Sequence, residues 1–105
     1  MIKPCQAQTI ESIKKLPDII TISFQSVWFQ EDIELLTKLV FTPLVTVNIQ
    51  EKILGADREN IRFIWQDHCF ILNFDCYSQS CWLEGQDSQS SQFLVLLYEA
   101  FKHDG

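Results

Sequence analysis

The sequence predicts an α+β domain in which an antiparallel sheet of four to five strands is packed by two main helices, in the order β-α-β-β-β-β-α. Two patterns carry this expectation. Period-2 alternation of apolar and polar residues recurs in short runs such as Ile61, Phe63, Trp65 and Phe70, Leu72, Phe74, as half-buried strands require. Spacings of three and four recur in Phe29, Ile33, Leu36, Val40 and in Phe93, Leu97, Phe101, as a helix burying one stripe requires. The strand runs follow one another at separations of a few residues, too short for a parallel crossover and right for a meander.

The elements follow in order. Met1 to Pro17 is read as a short helix or an extended arm, because Ile10, Ile13 and Leu16 are spaced for a helix face and Pro17 ends it. Ile19 to Phe24 alternates as a strand. The first main helix starts at Ser26 or Gln30, has Glu31 and Asp32 at its positive end, and stops at Pro43. Leu44 to Ile53 reads as extended, with Val45, Val47 and Ile49 on one face. Gly55 to Glu59 forms a turn, and strands follow at Asn60 to Gln66, Cys69 to Asp75 and Gln79 to Glu84. The last helix runs from about Ser90 to Lys102, with Asp87 or Ser90 as its cap.

Register can be argued for the central hairpin. A two-residue turn at Asp67 and His68 pairs Trp65 with Phe70, Phe63 with Leu72 and Ile61 with Phe74. Moving the turn to Gln66 and Asp67 changes the pairs and keeps the faces, because the shift is even.

Composition bounds the rest. A chain of 105 residues with 47% hydrophobic residues fits one globular domain, 1–105, and Trp28, Trp65, Trp82 and eight phenylalanines supply its core. The net charge of -6 is uneven: five lysines face six acids up to Ile53, and three basic residues face eight acids from Leu54 onward. The acidic second half would repel phosphate backbones, so no nucleic-acid partner is expected. The acid excess suits a basic protein partner as well as plain solubility. No run approaches the roughly 18 apolar residues of a membrane span. With Lys3 and Pro4 early and a polar stretch from Gln6 to Lys15, no signal peptide is read, and a cytoplasmic protein with reduced thiols is expected.

Gly55-Ala56-Asp57-Arg58, Trp65, Asn73-Phe74 and the run Tyr77-Ser78-Gln79-Ser80-Cys81-Trp82-Leu83-Glu84 together resemble a family of small uncharacterised proteobacterial proteins of about 100 residues. The resemblance spans Gly55 to Glu84. It implies a bacterial cytoplasmic protein and brings with it no activity and no catalytic residue.

The residues that could carry chemistry do not assemble into a known pattern. Cys5, Cys69, Cys76, Cys81, His68 and His103 contain no CxxC pair, so neither metal nor cofactor is expected. His68 and Cys69 are strand neighbours that point to opposite sides, which rules them out as base and nucleophile. Asp67, Asp75, Glu84 and Asp87 fall near strand ends with no spacing that marks a catalytic pair, and solvated acids are the default there.

The functional expectation rests on surface instead. If the last turn is Cys76 and Tyr77, then Ile64, Ile71 and Trp82 form one cross-strand row on the second sheet face, flanked by Arg62, Asn73 and Thr46. A three-residue turn would put Trp82 in the core and bring out Cys81 and Leu83. An exposed apolar row with a polar rim marks a protein partner or a homodimer, unless the N-terminal segment or a helix covers it. Asp57 and Arg58 add a turn acid and an exposed anchor. The expectation is a protein-interaction domain with no chemistry of its own. The alternatives are an acidic antidote covering a basic toxin or nuclease, and a small enzyme with a carboxylate or thiol site.

Overall fold

A computed structural model describes residues 8–104. What the sequence reading assigned to residues 1–7, including the Cys5 thiol, and to the side chain of His103 lies outside the described residues.

The fold is α+β, built on one fully antiparallel sheet of six strands in the order β1-β2-β6-β5-β4-β3. The strands are β1 (Ile10–Lys15), β2 (Ile19–Phe24), β3 (Asn48–Leu54), β4 (Arg58–Trp65), β5 (His68–Asp75) and β6 (Ser80–Gly85). One 3₁₀ turn, Gln30–Asp32, leads into α1 (Ile33–Phe41). The chain ends in a single turn, α2 (Ser88–Ser91), and α3 (Leu94–Asp104). β3 to β6 form the expected meander, and β6 closes against β2, which places Ile19–Phe24 inside the sheet between β1 and β6.

Alternation decides which residues enter the core. Ile20, Ile22 and Phe24 of β2, Ile61, Phe63 and Trp65 of β4, Phe70, Leu72 and Phe74 of β5, and Cys81 and Leu83 of β6 are all buried. They form one cluster with Ile33, Leu36 and Val40 of α1 and Leu94, Leu97 and Phe101 of α3. Each large apolar side chain buried this way contributes about 1.5–3 kcal/mol. Trp28 plugs the end of the cluster edge-on between Phe24 and Phe74, at centroid distances of 6.4 and 5.7 Å.

Two glutamines hold the β2–α1 connection as a paired strand would. The Gln8 side chain donates to Ser26 O and accepts from Ser26 N, both at 2.9 Å. The Gln79 side chain does the same for Trp28, at 2.7 and 3.0 Å. The backbone of an irregular segment is thereby satisfied without a neighbouring strand.

Several expectations need correction. The sheet has six strands, because Ile10–Lys15, read as part of a short helix or an extended arm, is extended and paired with β2. A bulge between Ile10 and Ser12 returns Ile10 and Ile13 to one face at a spacing of three, which imitates a helix. β3 starts only at Asn48, since Thr46 turns the chain through φ 63°, and Val45 is 78% exposed. The last helical segment is broken at Gln92 and Phe93 into α2 and α3. Of the two candidate caps for that segment, Asp87 is the one used, accepting from Ser90 N at 2.7 Å.

The central hairpin turns at Gln66 and Asp67, both at positive φ, so Trp65 pairs with His68, Phe63 with Phe70 and Ile61 with Leu72. This is the second of the two registers considered. The β5–β6 connection has four residues, Cys76 to Gln79, and pairs Asp75 with Ser80. Both differences are even. Cys81 and Leu83 therefore stay in the core, and Trp82 stays on the other face.

Candidate functional site

Among the described residues, the helices cover one face of the sheet and leave the other open. The pairing fixes what the other face carries. One cross-strand line reads Lys14, Thr21, Trp82, Asn73, Asn60, Ile53, and the next reads Ile19, Glu84, Ile71, Arg62, Glu51. Ile64 stands in a third line, beside Cys69 and Asn48. Ile64, Ile71 and Trp82 thus share the open face, all partly exposed, but they do not form the expected row. Each hairpin is two residues out from the assumed register, so the three are staggered across successive lines. Arg62 and Asn73 do lie beside them, whereas Thr46 sits in the loop before β3.

Polar side chains on this face bond to one another. Asn60 Nδ2 donates to Asn73 Oδ1, and Asn73 Nδ2 donates to Glu84 Oε2 at 2.9 Å, a chain that crosses β4, β5 and β6. Asn73 is buried beneath its neighbours. Arg62 pairs with Glu51 across β4 and β3 at 3.3 Å. Beside Trp82 a shallow hollow runs between β2 and β6, walled by Ile19, Thr21, Ser23 and Ser80.

A second surface lies at one end of the sheet, where β2, β3 and β5 finish. Three connections meet there and are bonded together. Cys76 N donates to Asp57 O at 2.8 Å, Gln30 Nε2 donates to Gly55 O at 3.1 Å, and Gln79 joins Trp28. Asp75 organises the β5–β6 connection: Oδ1 accepts from Tyr77 N and Ser78 N, while Oδ2 accepts from Arg58 Nε at 3.2 Å. Arg58 is therefore an anchored residue whose side chain is still 70% exposed, and Asp57 ties the turn through its carbonyl. Four large apolar residues stand out from this end: Val27 at 71%, Phe29 at 59%, Leu54 at 69% and Tyr77 at 89% exposure. Sequence reasoning missed them. Phe29 fits the α1 stripe by spacing, but it precedes the helix, and Asp32 caps its N–H. The available signal was large apolar residues in or beside turn segments, which burial does not explain.

The Cys81 and Cys69 thiols lie on opposite faces of the sheet. Cys81 faces the core, where burial pushes its thiol strongly up, and Cys69 faces the open side. His68 is stacked on Phe93 at a centroid distance of 3.7 Å. Among the described residues no group of three His, Cys, Asp or Glu side chains could hold a metal ion, and no helix is long and apolar enough to cross a membrane.

Glu59 is the exception in its environment. It occupies a core-side position of β4, opposite Leu54 and Phe74. Desolvation raises its pKa, Lys52 opposes the rise and Glu34 adds to it. A carboxyl raised in the folded state costs stability when ionised, and the cost fades as pH falls through the folded pKa. Glu59→Gln should therefore raise the urea midpoint at neutral pH, and the gain should shrink on acidification towards the ordinary glutamate pKa of about 4.3. A variant less stable than the parent at pH 7 would show that the carboxylate is held by favourable partners.

Residues 11–101 match the model of a family described as "Protein of unknown function (DUF3630)". The chain belongs to this family. The match runs from β1 to α3 and so takes in both surfaces. No curated protein and no solved structure matches the chain.

Proposed function

We propose that this member of the family is a cytoplasmic bacterial protein-interaction domain with no chemistry of its own, and that it meets its partner through the loop end of the sheet. The observation that carries the reading is the exposure of Val27, Phe29 and Tyr77 on connections bonded rigidly to one another, with the anchored Arg58 beside them. Exposed apolar side chains on floppy loops would be costly to order on binding, whereas here that entropy is already spent in folding. Tyr, Phe and Arg are also residue types that act as anchors.

The same connections and the strand ends beside them carry Glu31, Asp32, Asp57 and Asp75 against the single base Arg58. The fitting occupant is a protein with an apolar hollow edged by basic side chains. An antidote that covers a basic toxin or nuclease is one case of this chemistry. The acidic surface also works against a nucleic-acid or anionic-membrane partner.

The test is capture from the native cell with the parent chain and with Tyr77→Ala and Phe29→Ala, followed by titration of the captured protein. Each variant should weaken that complex by about tenfold or more. Added salt should weaken it further. Tyr77→Ala should change stability by less than about 0.5 kcal/mol, because its ring is not buried by folding. Equal affinity for parent and both variants, or the absence of any partner retained by the parent, would overturn the proposal.

A further inference from the structure

We infer that the open sheet face is the seat of a second copy of this chain, packed face to face about a two-fold axis. The charge distribution argues for a copy over a foreign partner. The chain carries -6 overall. Its open face, by the pairing, carries Lys14, Arg58 and Arg62 against Glu51, Asp75 and Glu84. The paired positions of that face balance on a strongly acidic molecule, so two copies can meet over the middle of the sheet without like charges being pressed together.

Several of the polar groups of the face are already partnered within the chain: Arg58 with Asp75, Arg62 with Glu51, and Asn73 with both Asn60 and Glu84. Groups that are bonded before contact lose less when water is removed than bare ones. Ile64, Ile71, Ile19 and Trp82 supply apolar area between them. Trp82 stands next to the hollow between β2 and β6, and a projection beside a hollow is self-complementary under a two-fold.

The sheet edges are poorer sites for a copy. β3 carries Glu51 and Lys52 and a bulge between Ile49 and Glu51, and β1 carries Lys14, Lys15 and its own bulge. These are devices that prevent edge pairing. The area suffices for a reversible dimer. Six strands about 4.8 Å apart and roughly six residues long cover roughly 600 Å² in plan per copy, near the lower limit of specific interfaces.

The experiment is sedimentation equilibrium of the purified full chain alone, so that its outcome is independent of the loop-end partner. A monomer–dimer equilibrium with a Kd in roughly the micromolar range is expected. Raising salt should leave it unchanged or tighten it, because screening relieves repulsion between two acidic chains. Trp82→Ala and Arg62→Glu should each weaken it by about tenfold or more. Adding Glu51→Arg to Arg62→Glu should restore it, since the two positions are again balanced and paired. Circular dichroism checks that each variant is folded, and Arg62, part-exposed, serves as the test if Trp82→Ala is not. A chain that stays monomeric at about 0.5 mM, or a dimer as tight in both single variants as in the parent, overturns the inference.

Discussion

Phe63→Ala is expected to cost about 3–5 kcal/mol, and Leu72→Ala about 2–5 kcal/mol, in urea denaturation. Phe63 is 1% exposed and sits where the sheet meets α1, with the Phe41 and Phe70 rings at 4.7 and 5.8 Å. Its cross-strand neighbours Ile49 and Phe70 are fixed by the backbone, so they cannot close over the space left by a lost ring. Leu72 is fully buried between Ile61 and Leu83 on the middle strands. Against a typical stability of about 5–15 kcal/mol, either loss is a large share, and Ile61→Val, at about 0.5–1.5 kcal/mol, gives a milder reading of the same site. If both alanine variants lay within about 0.5 kcal/mol of the parent, these side chains would not be in the core.

The faces of β4, β5 and β6 were legible in the sequence because parity survives errors of two residues. Register was not. Pairing apolar with apolar is satisfied about as well by Phe63 with Leu72 as by Phe63 with Phe70, and the turn chemistry gave little help. A turn at Gln66 and Asp67 needs positive φ at both residues, which Asp tolerates and Gln seldom adopts. β1 was hidden, and β3 was read as extended but without its bulge, for a different reason. A bulge in each replaces the spacing of two with a spacing of three, so Ile10 with Ile13 imitates a helix face, and Ile49 and Lys52 share a side.

The same physics limited the reading of the surfaces. A row of three residues on adjacent strands requires two registers at once, and the assumed row dissolves when each slips by two. The loop end required knowledge of which turns meet. Nothing local to Val27, Leu54 or Tyr77 says that their connections lie at one end of the sheet, because β3 reaches that end only after α1 has carried the chain across from β2. What could be read was the oddity of Tyr77 in a polar turn and of Arg58 beside one, where β4 begins, and of those two only Arg58 was singled out.

Gly85→Ala should be far more disruptive than Gly55→Ala, where the nearest atom to an added Cβ, Arg58 O, is 3.3 Å away. Gly85 ends β6, pairs with Phe70, and lies directly under α2. A Cβ built there would stand 2.5 Å from Ser91 N and 2.6 Å from Ser91 Cα, distances at which atoms cannot remain. The obstruction is backbone, so no rotamer change relieves it. The α2 turn would have to lift, and it is held from both sides: Asp87 caps Ser90 N, and Ser90 Oγ accepts from Cys69 N at 3.3 Å. A cost of about 1–3 kcal/mol or more is expected, as for overpacking elsewhere, and hydrogen exchange at the Cys69 and Ser90 amides should quicken. Adding Ser91→Gly separates the possible causes. It removes the Ser91 hydroxyl, 2.6 Å from the new methyl, and leaves the backbone where it was. The double variant should therefore recover only a minor part of the loss. Full recovery would mean that the side chain alone was in the way, and that α2 does not press its backbone onto the end of β6.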